Sequence, residues 1–317
     1  MSLLEKLYSL IIFLAVVVGL SLGQIDLIRA YAESFILPLL VAMLYITFLH
    51  IPIEELTTSL RNIKFTSISL AINFLWTPLL AWLLASTFLG DHPAIFIGFI
   101  MLMVTPCTDW YLIFTGMAKG NVALSTTILP LNLVLQVILL PVYLLIFGGT
   151  TGVIELPFLI ESVFIVIFIP LMLAILTKTL LKNKQQFADN LLSKLSAFPI
   201  IFLSFAIMAM FSSQGKLLIE NLDLMWKITL PIFLFFIINF IIGQKVGRFM
   251  SFSYKERASL SLTTLARNSP IALAIAMTAF PEQPLIALTL VIGPLLELPI
   301  LAIITQLLLV TAKSEEN

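Results

Sequence analysis

The fold class this sequence predicts is an all-α polytopic membrane protein of about ten transmembrane helices. They are arranged as two inverted five-helix repeats with discontinuous, crossing fourth and ninth helices. Three observations lead there: an apolar composition, a lopsided placement of basic residues, and a weak internal repeat that puts a proline deep in two matching spans. Of 317 residues, 60% are hydrophobic and only 11% charged, with a mean hydropathy of +1.12, whereas a soluble domain carries about a quarter charged residues. Too little polar surface remains to cover a water-soluble globule, so the lipid bilayer is the expected solvent. The apolar runs are long and lack the alternation of barrel strands, which makes them helices. Basic and acidic residues balance at 17 each, which gives no electrostatic case for nucleic acid. A single cysteine cannot close an internal disulfide.

A span needs about 20 mostly apolar residues, and breaks at charge clusters, glycine and proline divide the chain into ten. The first, 5–23, reads as a retained helix: Lys6 stands beside Glu5, and the apolar run reaches Gly23 without a small-x-small cleavage site. The second, 34–50, is short and follows Asp26 and Arg29. The third, 65–89, begins after Arg61 and Lys64 and ends at Gly90-Asp91. The fourth, 93–117, stops at Lys119-Gly120, and the fifth, 121–147, at Gly148-Gly149. The sixth, 155–180, meets Lys182 and Lys184, and the seventh, 191–213, meets Gly215-Lys216. The eighth, 224–247, runs from Asp223 to Arg248, the ninth, 256–280, stops at Pro281, and the tenth covers 284–311.

Basic residues test this division. Lys6, Arg61, Lys64, Lys119, Lys178, Lys182, Lys184, Lys194, Lys245, Arg248, Lys255, Arg257 and Lys313 all fall on one face. Only Arg29, Lys216 and Lys227 fall on the other, and Arg267 is left inside a span. Positive charge marks the cytoplasmic side. The expected location is therefore the plasma (inner) membrane, with both termini cytoplasmic.

The two halves, 1–150 and 151–317, match weakly at an offset of 164 residues. Thr105-Pro106 falls on Ser269-Pro270, Val122-Ala123-Leu124-Ser125 on Ile286-Ala287-Leu288-Thr289, and Pro130 on Pro294. An Asn-Phe pair recurs at Asn73-Phe74 and Asn239-Phe240 with a two-residue slip. Five spans per half is odd, so the second repeat enters the membrane from the opposite side, as in many secondary transporters. Pro106 and Pro270 then lie deep in the fourth and ninth spans. A mid-helix proline removes a hydrogen bond and clashes with the preceding turn, costing about 3 kcal/mol, and in lipid the freed carbonyls need partners. A lone proline is usually a simple kink. Two at matching positions, flanked by polar residues, point to paired broken helices whose ends present backbone dipoles to a solute.

The polar residues gather at the same two places. Asp109 lies three residues after Pro106 and Arg267 three before Pro270, which puts an acid and a base at one depth. An Asp109–Arg267 ion pair across the helix crossing is expected, since an unpartnered charge at the membrane centre costs at least about 2.5–3.5 kcal/mol. The pair either holds the broken helices together or opens when an anion binds Arg267 or a proton neutralises Asp109. Glu297, between Pro294 and Pro299 in GPLLELP, is either a proton-coupling site or a partner for backbone freed by the two prolines. Cys107 is either a small apolar filler or a thiol facing the cavity that ligates a soft, thiophilic solute. Thr105, Thr108, Asn268 and Ser269 supply neutral donors and acceptors, with Thr108, Asn268 and Ser269 joining Cys107, Asp109 and Arg267 as the expected solute-binding set. Asn73, Asn132, Gln136 and Asn239 read as polar glue between helices. His50 and His92 have no neighbouring ligand pattern, so no metal site is expected. With no phosphate loop, paired catalytic carboxylates, nucleophile elbow or zinc spacing in the chain, neither an enzyme nor a cofactor is expected.

The stretches TPCTDWYLIFTGMAKGNVALSTTILPLNLVLQ and ARNSPIALAIAMTAF…VIGPLLELPI resemble the bile acid:sodium symporter superfamily, nearest its arsenical-resistance permease branch. Ile72-Asn73-Phe74-Leu75-Trp76-Thr77-Pro78 is similar to that branch's third span. The resemblance implies ten helices in two inverted repeats, with a core domain carrying the crossed fourth and ninth helices and a panel domain moving against it. It also implies that Cys107 and Glu297 are functional and that the activity is extrusion of arsenite or antimonite in exchange for protons. Two departures stand out. Where bile-acid-type members build sodium sites, this chain has Tyr111-Leu112, Thr263 and Arg267-Asn268, and a fixed guanidinium is hostile to sodium. Arsenical members often carry Ala where Asp109 stands here, and they lack Arg267.

The leading functional expectation is therefore a secondary transporter performing proton-coupled efflux of arsenite or a related oxyanion. The alternative is proton- or sodium-coupled transport of a small organic anion held by Arg267. A channel or sensor without coupled transport ranks last.

Overall fold

The computed structural model describes residues 8–51, 62–108, 110–149, 152, 154–182 and 184–316. They form thirteen helices: α1 Tyr8–Leu22, α2 Asp26–His50, α3 Ile63–Phe88, α4 Pro93–Val104, α5 Trp110–Met117, α6 Val122–Gly148, α7 Leu156–Leu181, α8 Gln185–Leu195, α9 Phe198–Glu220, α10 Leu222–Phe249, α11 Tyr254–Leu265, α12 Ser269–Ala279 and α13 Pro284–Glu316. Among the described residues there is no strand, only one isolated backbone bridge. α2, α3, α6, α7, α9, α10 and α13 are long and apolar enough to cross a membrane.

The fourth and ninth spans, expected to be discontinuous, each form two short helices, α4 with α5 and α11 with α12. At a rise of about 1.5 Å per residue, none of these four is long enough to cross a hydrocarbon core of about 30 Å. Both interruptions fall at the sequences that carry Pro106 and Pro270. Pro270 is the second residue of α12, in the first turn, where a missing N–H costs nothing. α2 begins at Asp26, eight residues earlier than the charge-based reading placed it. The Arg29 guanidinium pairs with Asp26 one turn away, so the first turn tolerates charges that were expected to lie in a loop. α9 likewise starts at Phe198, later than expected, because the amphipathic α8 takes Gln185–Leu195.

Two prolines in the long helices leave a visible trace. α3 takes π geometry over Ile72–Trp76 and α7 over Phe164–Phe168, in each case two residues before a proline, Pro78 or Pro170. Pro78 has no N–H, so the Phe74 carbonyl loses its helical donor. The Tyr143 hydroxyl of α6 takes that place at 2.6 Å.

The chain divides into two compact units. One comprises residues 1–51, 155–225 and 270–291, the other 52–154, 226–269 and 292–317. In the first unit α9 packs along α1 and α2, and α7 along α2. α1 and the turn after it approach α9 through Gly19 and Gly23: a Cβ on either would lie 2.6 Å from a backbone oxygen, of Met208 or Ser212. Small residues four apart are how membrane helices bring backbones together without a hydrophobic driving force. In the second unit α3 packs on α4, α4 on α6, and α11 on α5, α6 and α3. α11 opens with a capping box between Ser253 and Glu256. Leu10, Phe13 and Leu14 of α1 and Phe164, Met172 and Leu176 of α7 are exposed, whereas Ser69, Asn73, Asn132, Gln136, Asn239 and Thr263 are buried. Apolar outside and polar inside is the distribution of a protein whose solvent is lipid. The molecule is a multi-pass membrane protein.

Candidate functional site

Helix ends leave backbone groups without intrahelical partners, and in hydrocarbon each such group costs several kcal/mol. The two interruptions satisfy one another. Pro106 and Arg267 form an antiparallel bridge, in which the Cys107 N–H donates to the Ala266 carbonyl at 2.9 Å and the Asn268 N–H to the Thr105 carbonyl at 2.7 Å. Side chains extend the pairing. Asn268 Nδ2 donates to Thr108 Oγ1 at 3.1 Å, and Thr105 Oγ1 donates to the Met101 carbonyl at 2.9 Å. Cys107, Thr108, Arg267, Asn268 and Ser269 are all buried, as are Pro106 and Pro270. The sequence-expected set is thus brought together, with one member outside the described residues: Asp109, and with it the expected Asp109–Arg267 pair.

Arg267 is the pivot of this arrangement. Its Nε donates to the Leu265 carbonyl at 3.0 Å, Nη1 to the Met103 carbonyl at 2.8 Å, and Nη2 to Asn73 Oδ1 at 3.3 Å and to the Thr264 carbonyl. Met103 lies in the last turn of α4, and Thr264 and Leu265 close α11. The guanidinium therefore caps the C-terminal ends of two half-helices, each the negative pole of a helix dipole. Its carbon also lies 5.4 Å from the centre of the Phe235 ring. Glu297 of α13, 2% exposed, accepts the Arg267 backbone N–H at Oε1 over 2.8 Å. A carboxylate, a guanidinium and two paired backbones thus form one hydrogen-bonded assembly in the second unit. A further helix of the same unit, α5, begins after the first interruption, and a helix N-terminus favours anionic or electron-rich groups.

Asn73 was expected to glue helices, and it does: besides accepting from Arg267, its Nδ2 donates to the Thr263 carbonyl at 3.5 Å. Asn239 also fits that expectation, its Oδ1 accepting from Trp76 Nε1 at 2.9 Å. Asn132 and Gln136 depart from it, since none of their side-chain polar atoms finds a hydrogen-bond partner among the described residues. Sequence reasoning missed Met103, Thr264 and Leu265, which act through backbone carbonyls that no side-chain motif announces, and it missed the Phe235 ring. The recurrent Asn-Phe pair and the Ile72–Pro78 stretch both pointed to Asn73.

Comparison with known proteins converges on one family. The family model described as Sodium Bile acid symporter family matches residues 37–221, more than half of the chain. Arsenical-resistance protein Acr3 of Corynebacterium glutamicum is 25% identical, with 95% of this chain and 87% of that protein covered. A protein of the same name from Alkaliphilus metalliredigens is 20% identical over 96% of this chain and 91% of its own. An uncharacterized transporter of Synechocystis is 23% identical over 98% and 90%.

Proposed function

The chain belongs to the sodium bile acid symporter family, and on that premise we propose that it extrudes arsenite, or a related metalloid oxyacid, in exchange for protons. The observation that carries this reading is the paired interruption itself: Cys107, Thr108 and Asn268 gather where two half-helices end. Arsenite at neutral pH is an uncharged trihydroxide of a soft, thiophilic element. Cys107 is the ligand suited to that element, while Thr108, Asn268 and Ser269 are suited to its hydroxyls. The two relatives named arsenical-resistance proteins support the same assignment.

Glu297 is the proposed coupling residue. It is buried against the Arg267 backbone, and a proton arriving on it would weaken the acceptor that holds the second break in place. Asp109 keeps the coupling role the sequence suggests. Protons are favoured over sodium because Arg267 already places a fixed positive charge on the Met103, Thr264 and Leu265 carbonyls, the kind of oxygens a sodium ion would need. The same bonds argue against an organic anion held by Arg267, since its named donors point to protein oxygens. Two inverted repeats, 1–150 and 151–317, with crossing fourth and ninth spans, complete the proposal. Both termini are assigned to the cytoplasm. The test is arsenite tolerance of an efflux-deleted bacterial host. Expression of the chain raises tolerance, and Cys107→Ser abolishes the gain; an unchanged gain with Cys107→Ser overturns the assignment.

A further inference from the structure

α6 carries two side-chain amides one turn apart, Asn132 and Gln136, which face the same side of the helix. They are 0% and 1% exposed, and none of their four polar atoms, Nδ2, Oδ1, Nε2 and Oε1, finds a hydrogen-bond partner among the described residues. Buried amides are nearly always hydrogen-bonded, because leaving one unsatisfied forfeits its hydration without return. Two adjacent exceptions on one helix face therefore call for a guest that supplies both donors and acceptors.

Their depth says where that guest sits. α4 packs against α6, with Gly148 against Ile97 near the start of α4. Beyond the break, the Tyr111 hydroxyl donates to the Ser125 carbonyl at 2.7 Å. The two chains thus run antiparallel, and the interruption at Thr105–Thr108, lying between these ties, falls alongside the turns of α6 that carry Asn132 and Gln136. All of these residues belong to the second unit.

We propose that Asn132 and Gln136 form a neutral amide subsite for a small, uncharged, hydroxylated solute at the first helix interruption. Each amide offers one donor and one acceptor face, a match for hydroxyl groups that both give and accept hydrogen bonds. The pair carries no charge and so gains little from an anion. This inference rests on the reading of the interruption as a transport site, and it assigns recognition of the solute's hydroxyls to α6.

The experiment is thermal unfolding of the full chain in detergent, with and without arsenous acid as the probe. The double variant Asn132→Leu/Gln136→Met keeps side-chain volume and removes the polar atoms, and Gln136→Met alone is the milder form. The expected result is that both variants melt at or above the parent temperature, because no protein hydrogen bond is lost. Arsenous acid stabilises the parent, and the double variant needs about tenfold or more of it for the same shift, the loss of two or so hydrogen bonds. Melting well below the parent in both variants would show that the amides hold structural bonds, which overturns the subsite. An equal arsenous-acid shift in parent and variants would show that the amides do not touch the solute, which also overturns it; if Cys107→Ser loses the shift in the same experiment, the transport reading survives. Failure of arsenous acid to stabilise the parent removes both the transport reading and the subsite.

Discussion

Replacing Arg267 by methionine removes the guanidinium while keeping an apolar stem of similar reach. Four oxygens then lose a donor: the carbonyls of Met103, Thr264 and Leu265, and Asn73 Oδ1. Each buried acceptor left unsatisfied costs about 1–3 kcal/mol, but the variant no longer has to desolvate a cation. Breaking a buried charged network by deleting one partner nets about 3–5 kcal/mol, the value expected here. At about 2 °C per kcal/mol for a chain of this size, the melting temperature of the detergent-solubilised protein should fall by about 6–10 °C. Arg267→Lys should fall by roughly half as much, since an ammonium keeps the charge but cannot fork between α4 and α11. The reasoning is refuted if Arg267→Met melts with the parent and loses only the uptake of an anionic solute. That pair of results would make Arg267 a solute ligand instead of the clamp on two helix ends.

Two other substitutions separate structure from transport. Glu297→Gln keeps an oxygen to accept the Arg267 N–H but cannot carry a proton in exchange. The fold should therefore survive, while solute accumulation in everted membrane vesicles stops responding to an imposed pH gradient; a retained response contradicts the coupling role. Gly19→Ala forces a Cβ to 2.6 Å from the Met208 carbonyl oxygen, so α1 and α9 must separate. Overpacking of this kind costs about 1–3 kcal/mol, measurable as a lower melting temperature, and an unchanged value would show that the close approach is not needed.

Much of this architecture was legible in the sequence because lipid makes few demands and makes them strictly. Apolar runs had to be helices, and the sequences that carry Pro106 and Pro270 are where the fourth and ninth spans are interrupted. Helix ends were less legible. Charges such as Asp26 and Arg29 looked like a loop because sequence cannot show that they pair on the first turn of α2. Cys107, Thr108, Arg267, Asn268 and Glu297 drew attention because polar residues in a membrane span are costly and therefore conspicuous. What Arg267 grips was not legible: it holds backbone carbonyls, and every residue has one. Nor does a sequence distinguish a bonded amide such as Asn239 from an orphaned one such as Asn132, because that difference lies in packing across helices far apart in the chain.

Uptake of arsenite into everted membrane vesicles bearing the chain, energised by an imposed proton gradient and compared between the parent and Cys107→Ser, tests the transport-site claim most directly. Gradient-dependent accumulation that the single thiol substitution removes, with both proteins folded and present in equal amount, is the predicted result. Accumulation that proceeds equally without the thiol, or that the parent never shows, would contradict it.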